Sequence, residues 1–234
     1  MILKDNGITN VDTWRAKAPP MGKDAQWVDG RSAKELARYM TQNYPLLPQE
    51  MEDVLKNFVS VQSEFDWAAE YVTRFEPFGL GRGEGRNHDA FLYNHELVVG
   101  IEAKADEPFG SQTVGEAFKS ATPNKQKRIH GMIQMLFGGT PEGHEHIRYQ
   151  LMTSTTATLL EATKKHVNKA LLLVIVFKKP GCYSEEKAAS NGTDMDAFLK
   201  DISARKNGDY YIIPTPYGKE TGIDLFFRKI EIVI

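Results

Sequence analysis

Two apolar stretches near the middle of the chain carry charges where such strands seldom tolerate them. Residues 88–93 (His-Asp-Ala-Phe-Leu-Tyr) and 97–104 (Leu-Val-Val-Gly-Ile-Glu-Ala-Lys) flank Asn94-His95-Glu96 and read as the two strands of a hairpin. Side chains alternate along a strand, so Glu102 and Lys104 share one face while Val99, Ile101 and Ala103 share the other. A core accounts for the apolar face. The charged face needs a partner, because a buried carboxylate and ammonium are costly unless they pair or hold a metal. Asp89, across the turn, brings a second carboxylate.

Two carboxylates that converge bind a hard cation such as Mg2+ or Mn2+ through oxygen, and an ammonium beside it can orient or help deprotonate a water. Lys104 suits that role, having the wrong charge to ligate a cation. The competing reading is an exposed strand face with Asp89 capping a turn. The apolar run leading into the triplet and the apolar strand at 170–177 favour the first.

Asp89, Glu102, Ala103 and Lys104 in this arrangement resemble the motif of the PD-(D/E)XK nuclease superfamily, the restriction-endonuclease-like fold. There the Asp lies on the second core strand and the Glu-x-Lys on the third, across a hairpin. Residues 100–110, 147–151 and 170–177 also look like an uncharacterised bacterial branch of that clan, so the likeness spans roughly residues 60–180. The resemblance implies a nuclease hydrolysing DNA phosphodiester bonds, in host defence or repair, with Mg2+ or Mn2+ as cofactor. Its metal ligands would be Asp89, Glu102 and the carbonyl of Ala103, with one more acid from a preceding helix, Glu70 or Glu64. Lys104 would sit beside the water, and Gln150, on the crossover helix, near the catalytic strand or a phosphate. Many such enzymes act as dimers to cut two strands, so a homodimer is compatible. The alternative is a catalytically silent module of the same fold that binds nucleic acid or a protein.

At 234 residues, 41% hydrophobic and 26% charged, the chain can bury one substantial core plus an appendage. The expected division is an N-terminal arm with helices over 1–58 and a nuclease-like domain over 59–234. The longest apolar stretch, 170–177, is too short to span a bilayer, and the first ten residues lack a signal-peptide core, so no membrane and a cytoplasmic location are expected. The single cysteine, Cys182, excludes an internal disulfide and a cysteine-rich zinc site. A net charge of −2 argues mildly against coating nucleic acid. Lys119, Lys125, Lys127, Arg128 and His130 nevertheless form a cluster that reads equally well as a phosphate-facing patch or a solvated helix face. His144 and His146 lack further ligands in their loop.

The expected fold class is α/β, a restriction-endonuclease-like mixed central sheet flanked by helices, with a helical N-terminal extension. A capping box at Ser32–Glu35 opens the first helix, Met51, Val54, Leu55 and Phe58 mark the second, and Phe65, Ala68 and Val72 a third over 61–73. Residues 79–85 form a glycine-rich connection that matches no phosphate-loop spacing. Helices follow at 126–137, within 145–165 and at 193–205, strands at 209–213 and 223–234, and a turn at 214–218. Asn191-Gly192-Thr193 reads as a helix-capping turn.

Overall fold

The run 170–177 becomes the central strand that its lack of alternation predicts. In the computed structural model, which describes residues 1–20, 22–76, 85–105, 107–181 and 185–234, every side chain of that run is buried within β5 (Lys169–Lys178). Parallel neighbours lie on both sides, β4 (Val98–Lys104) and β8 (Asp224–Val233), and burial on both faces explains the unbroken apolar sequence. Parallel pairing needs a long crossover. Between β4 and β5 it runs through α4 (Val114–Lys119), α5 (Pro123–Phe137) and α6 (Tyr149–Lys165).

Among the described residues eight strands form one mixed sheet in the order β1-β2-β3-β4-β5-β8-β7-β6. The first strands are β1 (Ile2–Leu3), β2 (Glu64–Thr73) and β3 (Arg86–Tyr93), and the far edge is β6 (Arg205–Asn207) and β7 (Tyr210–Ile213). The hairpin between β3 and β4 forms as expected. Asn94 closes it by accepting the backbone N–H groups of Glu96 and Leu97 through its side chain, both at 2.9 Å.

Each face of the sheet carries its own core. Val99, Ile101, Leu173 and Ile175 pack under the N-terminal segment, whose helices α1 (Val11–Lys17), α2 (Ser32–Thr41) and α3 (Gln49–Leu55) contribute Trp14, Leu36, Met40 and Met51. Trp14 is 1% exposed and lies 5.5 Å from Trp67 between ring centroids. Truncating such a ring typically costs about 3–5 kcal/mol, so the segment is bound firmly to the body. The other face packs Val98, Leu172 and Val174 against α5, α6 and α7 (Glu185–Asp201). Among the described residues no helix is long and apolar enough to cross a membrane.

Several local expectations change. Residues 64–73 form a strand rather than the third helix: Phe65, Trp67 and Ala69 are buried at period two, and that burial overrides the helical spacing of Phe65, Ala68 and Val72. The Ser32–Glu35 capping box does not form, because Arg31 is the N-cap, Glu35 accepts the Gly30 N–H at 2.6 Å and Ser32 turns to Glu107. Asn191 lies inside α7 instead of capping a helix, and its Nδ2 donates to the Glu107 carbonyl at 2.9 Å. Residues 214–218 continue into a short helix, α8 (Pro216–Thr221), capped by Thr215. Cys182 and residues 79–84 lie outside the described residues.

Candidate active site

The two inner ladders are interrupted at the acids. Between β2 and β3, Ala69 pairs with Ala90 and Tyr71 with His88, but Glu70 and Asp89 between them form no rung. Glu70 adopts φ 50°, in the left-handed region that costs a non-glycine residue roughly 1–2 kcal/mol. The alternation changes phase at this point. Ala69 and Ala90 belong to the core under the N-terminal helices, whereas the Tyr71 hydroxyl donates to Glu161 of α6 at 2.9 Å and His88 lies beside Glu102. The β3–β4 ladder likewise ends at Ala90 and Ile101. Beyond it the Asp89 Oδ2 accepts the Ala103 N–H at 2.7 Å. A strand residue points its N–H and C=O to the same side, so the Ala103 carbonyl also faces this gap.

Glu102 is enclosed by donors. Its Oε1 accepts from the Ser154 hydroxyl at 2.9 Å and lies 3.3 Å from His88 Nδ1; its Oε2 accepts from Gln150 Nε2 at 2.9 Å and from the Arg86 guanidinium. Arg86 also donates through Nε to Ser154 at 2.9 Å. Gln150, Ser154 and Thr158 succeed one another at every fourth residue on α6 and so present one face to β4. Gly100 is required there, since a Cβ would collide with Thr158 and His88. Burial opposes the Glu102 charge, yet Arg86, His88 and Lys104 outweigh it and hold its carboxyl below the usual range.

Asp89 and Glu70 have the opposite setting. Burial and the Glu102 charge push the Asp89 carboxyl up, only partly offset by Lys104 and the Ala103 N–H. Burial and the Asp89 charge raise Glu70 to about 7, although Asn87 donates to it through its amide. A cleft of about 400 Å³ opens here, lined by Glu70, Asp89, Ala103, Lys104, Arg86 and Gln150. Pro20, Gln26, Arg31 and Ser32 of the N-terminal segment complete its wall. Ser32 joins that segment to the loop after β4 through Glu107, whose other oxygen accepts the Ala105 N–H at 3.1 Å. Lys104 is 6% exposed, with Nζ 5.5 Å from the Phe109 ring centroid, and among the described residues no carboxylate pairs with it.

A hard cation fits part of this donor set. Asp89, Glu70 and the Ala103 carbonyl offer oxygens in a cleft whose carboxyls are raised by burial and by the charge of a neighbouring acid. Among the described residues no group of three or more His, Cys, Asp or Glu side chains is assembled for a metal. Glu102 explains this, because it has turned to Arg86, whose guanidinium supplies the charge a cation would bring. Glu102 can join a metal only by exchanging that partner.

The anticipated Asp89, Lys104, Gln150 and Glu70 therefore all reach one cleft, with Glu70 arriving from a strand rather than a helix. Glu64 does not; it lines a separate surface hollow with Lys4 and Tyr93. The basic cluster is dispersed. Arg128 is buried, Lys125 lies over the Tyr149 ring at 5.2 Å, and Lys119 and Lys127 are exposed. His144 pairs with Asp201 at 2.6 Å and stacks on Phe137, while His146 is exposed. Sequence reasoning missed Arg86, His88 and Ser154. Only Ser154 left a signal, four residues after Gln150 on the same helix.

A family model described as Domain of unknown function (DUF6946) matches residues 7–232 of the chain. No curated protein and no solved structure matches it.

Proposed function

The chain thus belongs to the DUF6946 family, and we propose that it is a metal-dependent nuclease of restriction-endonuclease-like fold that hydrolyses DNA phosphodiester bonds. One observation carries the reading. Asp89 and Glu70 stand in a strand gap with their carboxyls raised by burial and by a neighbouring acid, beside the Ala103 carbonyl and the ammonium of Lys104. In this reading Asp89, Glu70, the Ala103 carbonyl and, after release from Arg86, Glu102 hold Mg2+ or Mn2+. The ion supplies charge to stabilise the scissile phosphate and acidify a water.

The remaining steps belong to the chain. Lys104, lacking an acid partner among the described residues, is free to donate to an anionic oxygen and to hold the attacking water. Gln150 and Ser154 keep Glu102 oriented through two bonds at 2.9 Å. Arg86, once displaced from Glu102, gains a phosphate oxygen as its next partner.

Calorimetry with Mn2+ and incubation with linear, circular and single-stranded DNA test the proposal. Lys104→Ala is expected to lose cleavage while keeping the heat of metal binding, and Asp89→Ala to lose both. Unchanged metal binding in Asp89→Ala would place the ion elsewhere and remove the proposal. A second reading, a nuclease-fold module that binds without hydrolysis, is favoured by the saturation of Glu102 with side-chain donors. Silence on every substrate with metal binding intact would select it.

A further inference from the structure

The two oxygens of Glu102 are held differently. Oε1 rests against Ser154 at 2.9 Å and lies 3.3 Å from His88, both fully buried, whereas Oε2 is shared by Gln150 at 2.9 Å and a terminal nitrogen of Arg86. The Arg86 side chain is 18% exposed and lines the acid cleft, while that of Glu102 is 1% exposed. The arginine is therefore the member of the pair that can turn outward. Its Nε donates to Ser154 at 2.9 Å, a bond that survives when the terminal nitrogen leaves Glu102. Burial opposes charge on Glu102, Asp89 and Glu70 alike, and the Arg86 charge counters it at all three.

A cation that takes Oε2 must displace this guanidinium, and breaking the pair strands a positive charge in a partly buried place until an anion joins it. Phosphate oxygens are the partners a guanidinium prefers after carboxylates. We propose that Arg86 is a built-in competitor for the cation, so that the site takes metal and a substrate phosphate together and neither well alone. The proposal rests on the nuclease reading and assigns the regulation of that site. Metal affinity is reduced by the small fraction of Glu102 that is free of Arg86, and a phosphate that accepts from Arg86 restores it. Linkage makes the effect reciprocal, so bound metal strengthens phosphate binding by the same factor.

Calorimetry with Mn2+ in the absence of nucleic acid reads the competition. Arg86→Gln is expected to bind Mn2+ about tenfold more tightly than the wild type, a gain where most substitutions beside a metal site bring a loss. Lys104→Gln removes a neighbouring charge that pairs with no carboxylate among the described residues, and should change the affinity far less. Phenylglyoxal, which modifies guanidinium groups, decides on the wild type if Arg86→Gln fails to fold. Labelling of Arg86, read by mass spectrometry of its peptide, is expected to quicken several-fold with Mn2+ and to slow again when a short oligothymidine is added. An ion that merely covered the site would slow it from the start. Arg86→Gln binding no more tightly than wild type, Lys104→Gln gaining equally, or labelling that Mn2+ does not quicken or that the oligothymidine leaves fast overturns the proposal, even where DNA is cleaved. The expected gain without cleavage of any DNA upholds it and removes the nuclease reading instead.

Discussion

Glu102 receives hydrogen bonds from three side chains, Arg86, Gln150 and Ser154, whereas Asp89 receives one, from the Ala103 backbone, and faces a second acid, Glu70. Burial raises both carboxyls, yet Glu102 ends low and Asp89 high. Burial alone therefore does not assign a role to a carboxylate; the balance of donors around it does. Glu102 is already paired with Arg86, and in the proposed metal site it would have to exchange that partner. Asp89 and Glu70 are the carboxylates that a cation would join under that proposal.

That contrast can be broken most directly at Glu102. Glu102→Ala strands Arg86 and two further donors in the interior and is expected to cost about 3–5 kcal/mol in chemical denaturation, while Asp89→Ala, which removes a repelling acid, costs far less. Equal losses would erase the distinction. A smaller effect is expected from Ser154→Ala, which deletes one buried hydroxyl that donates to Glu102 and accepts from Arg86, at roughly 1–3 kcal/mol. A denaturation midpoint indistinguishable from wild type would mean that Gln150 and Arg86 hold Glu102 without it.

A change confined to mild acidity is expected at Glu70. Its carboxyl titrates at about 7 in the folded protein against an ordinary value of 4.5, so the folded state keeps a proton that the unfolded chain has released. Stability without divalent ions should thus fall as pH rises from about 4.5 to about 7. Glu70→Gln should flatten that part of the profile, and Mn2+ should restore stability to the wild type at its upper end. Thermal melts across this range check both. Parallel profiles for the two proteins would deny Glu70 its share in the acid cleft.

The sheet's centre was legible because its information is local. The hairpin of β3 and β4 and the apolar β5 are written in consecutive residues, and turn chemistry at Asn94 marks the join. β2 was misread because Phe65, Ala68 and Val72 satisfy a helical period, while Phe65, Trp67 and Ala69 satisfy the strand period that tertiary burial selects. The phase change at Glu70 further disguised the strand. Asp89, Glu102 and Lys104 stood out as charges in apolar runs, but the partners of Glu102 come from β3 and α6. Ser154 is 52 residues away in sequence, and no local pattern ties it to β4. Arg86 was hidden for a different reason: an arginine near a glycine-rich segment looks like an ordinary surface residue until the fold turns it inward.

The left-handed backbone at Glu70 has a consequence for anyone engineering this protein. The position is strained in conformation and repelled in charge, so glycine there would relieve both at once. A stabilisation campaign would accept that substitution early, and would in the same step remove an oxygen donor from the cleft. Under the proposed function, residue 70 is where robustness and chemistry ask for different amino acids.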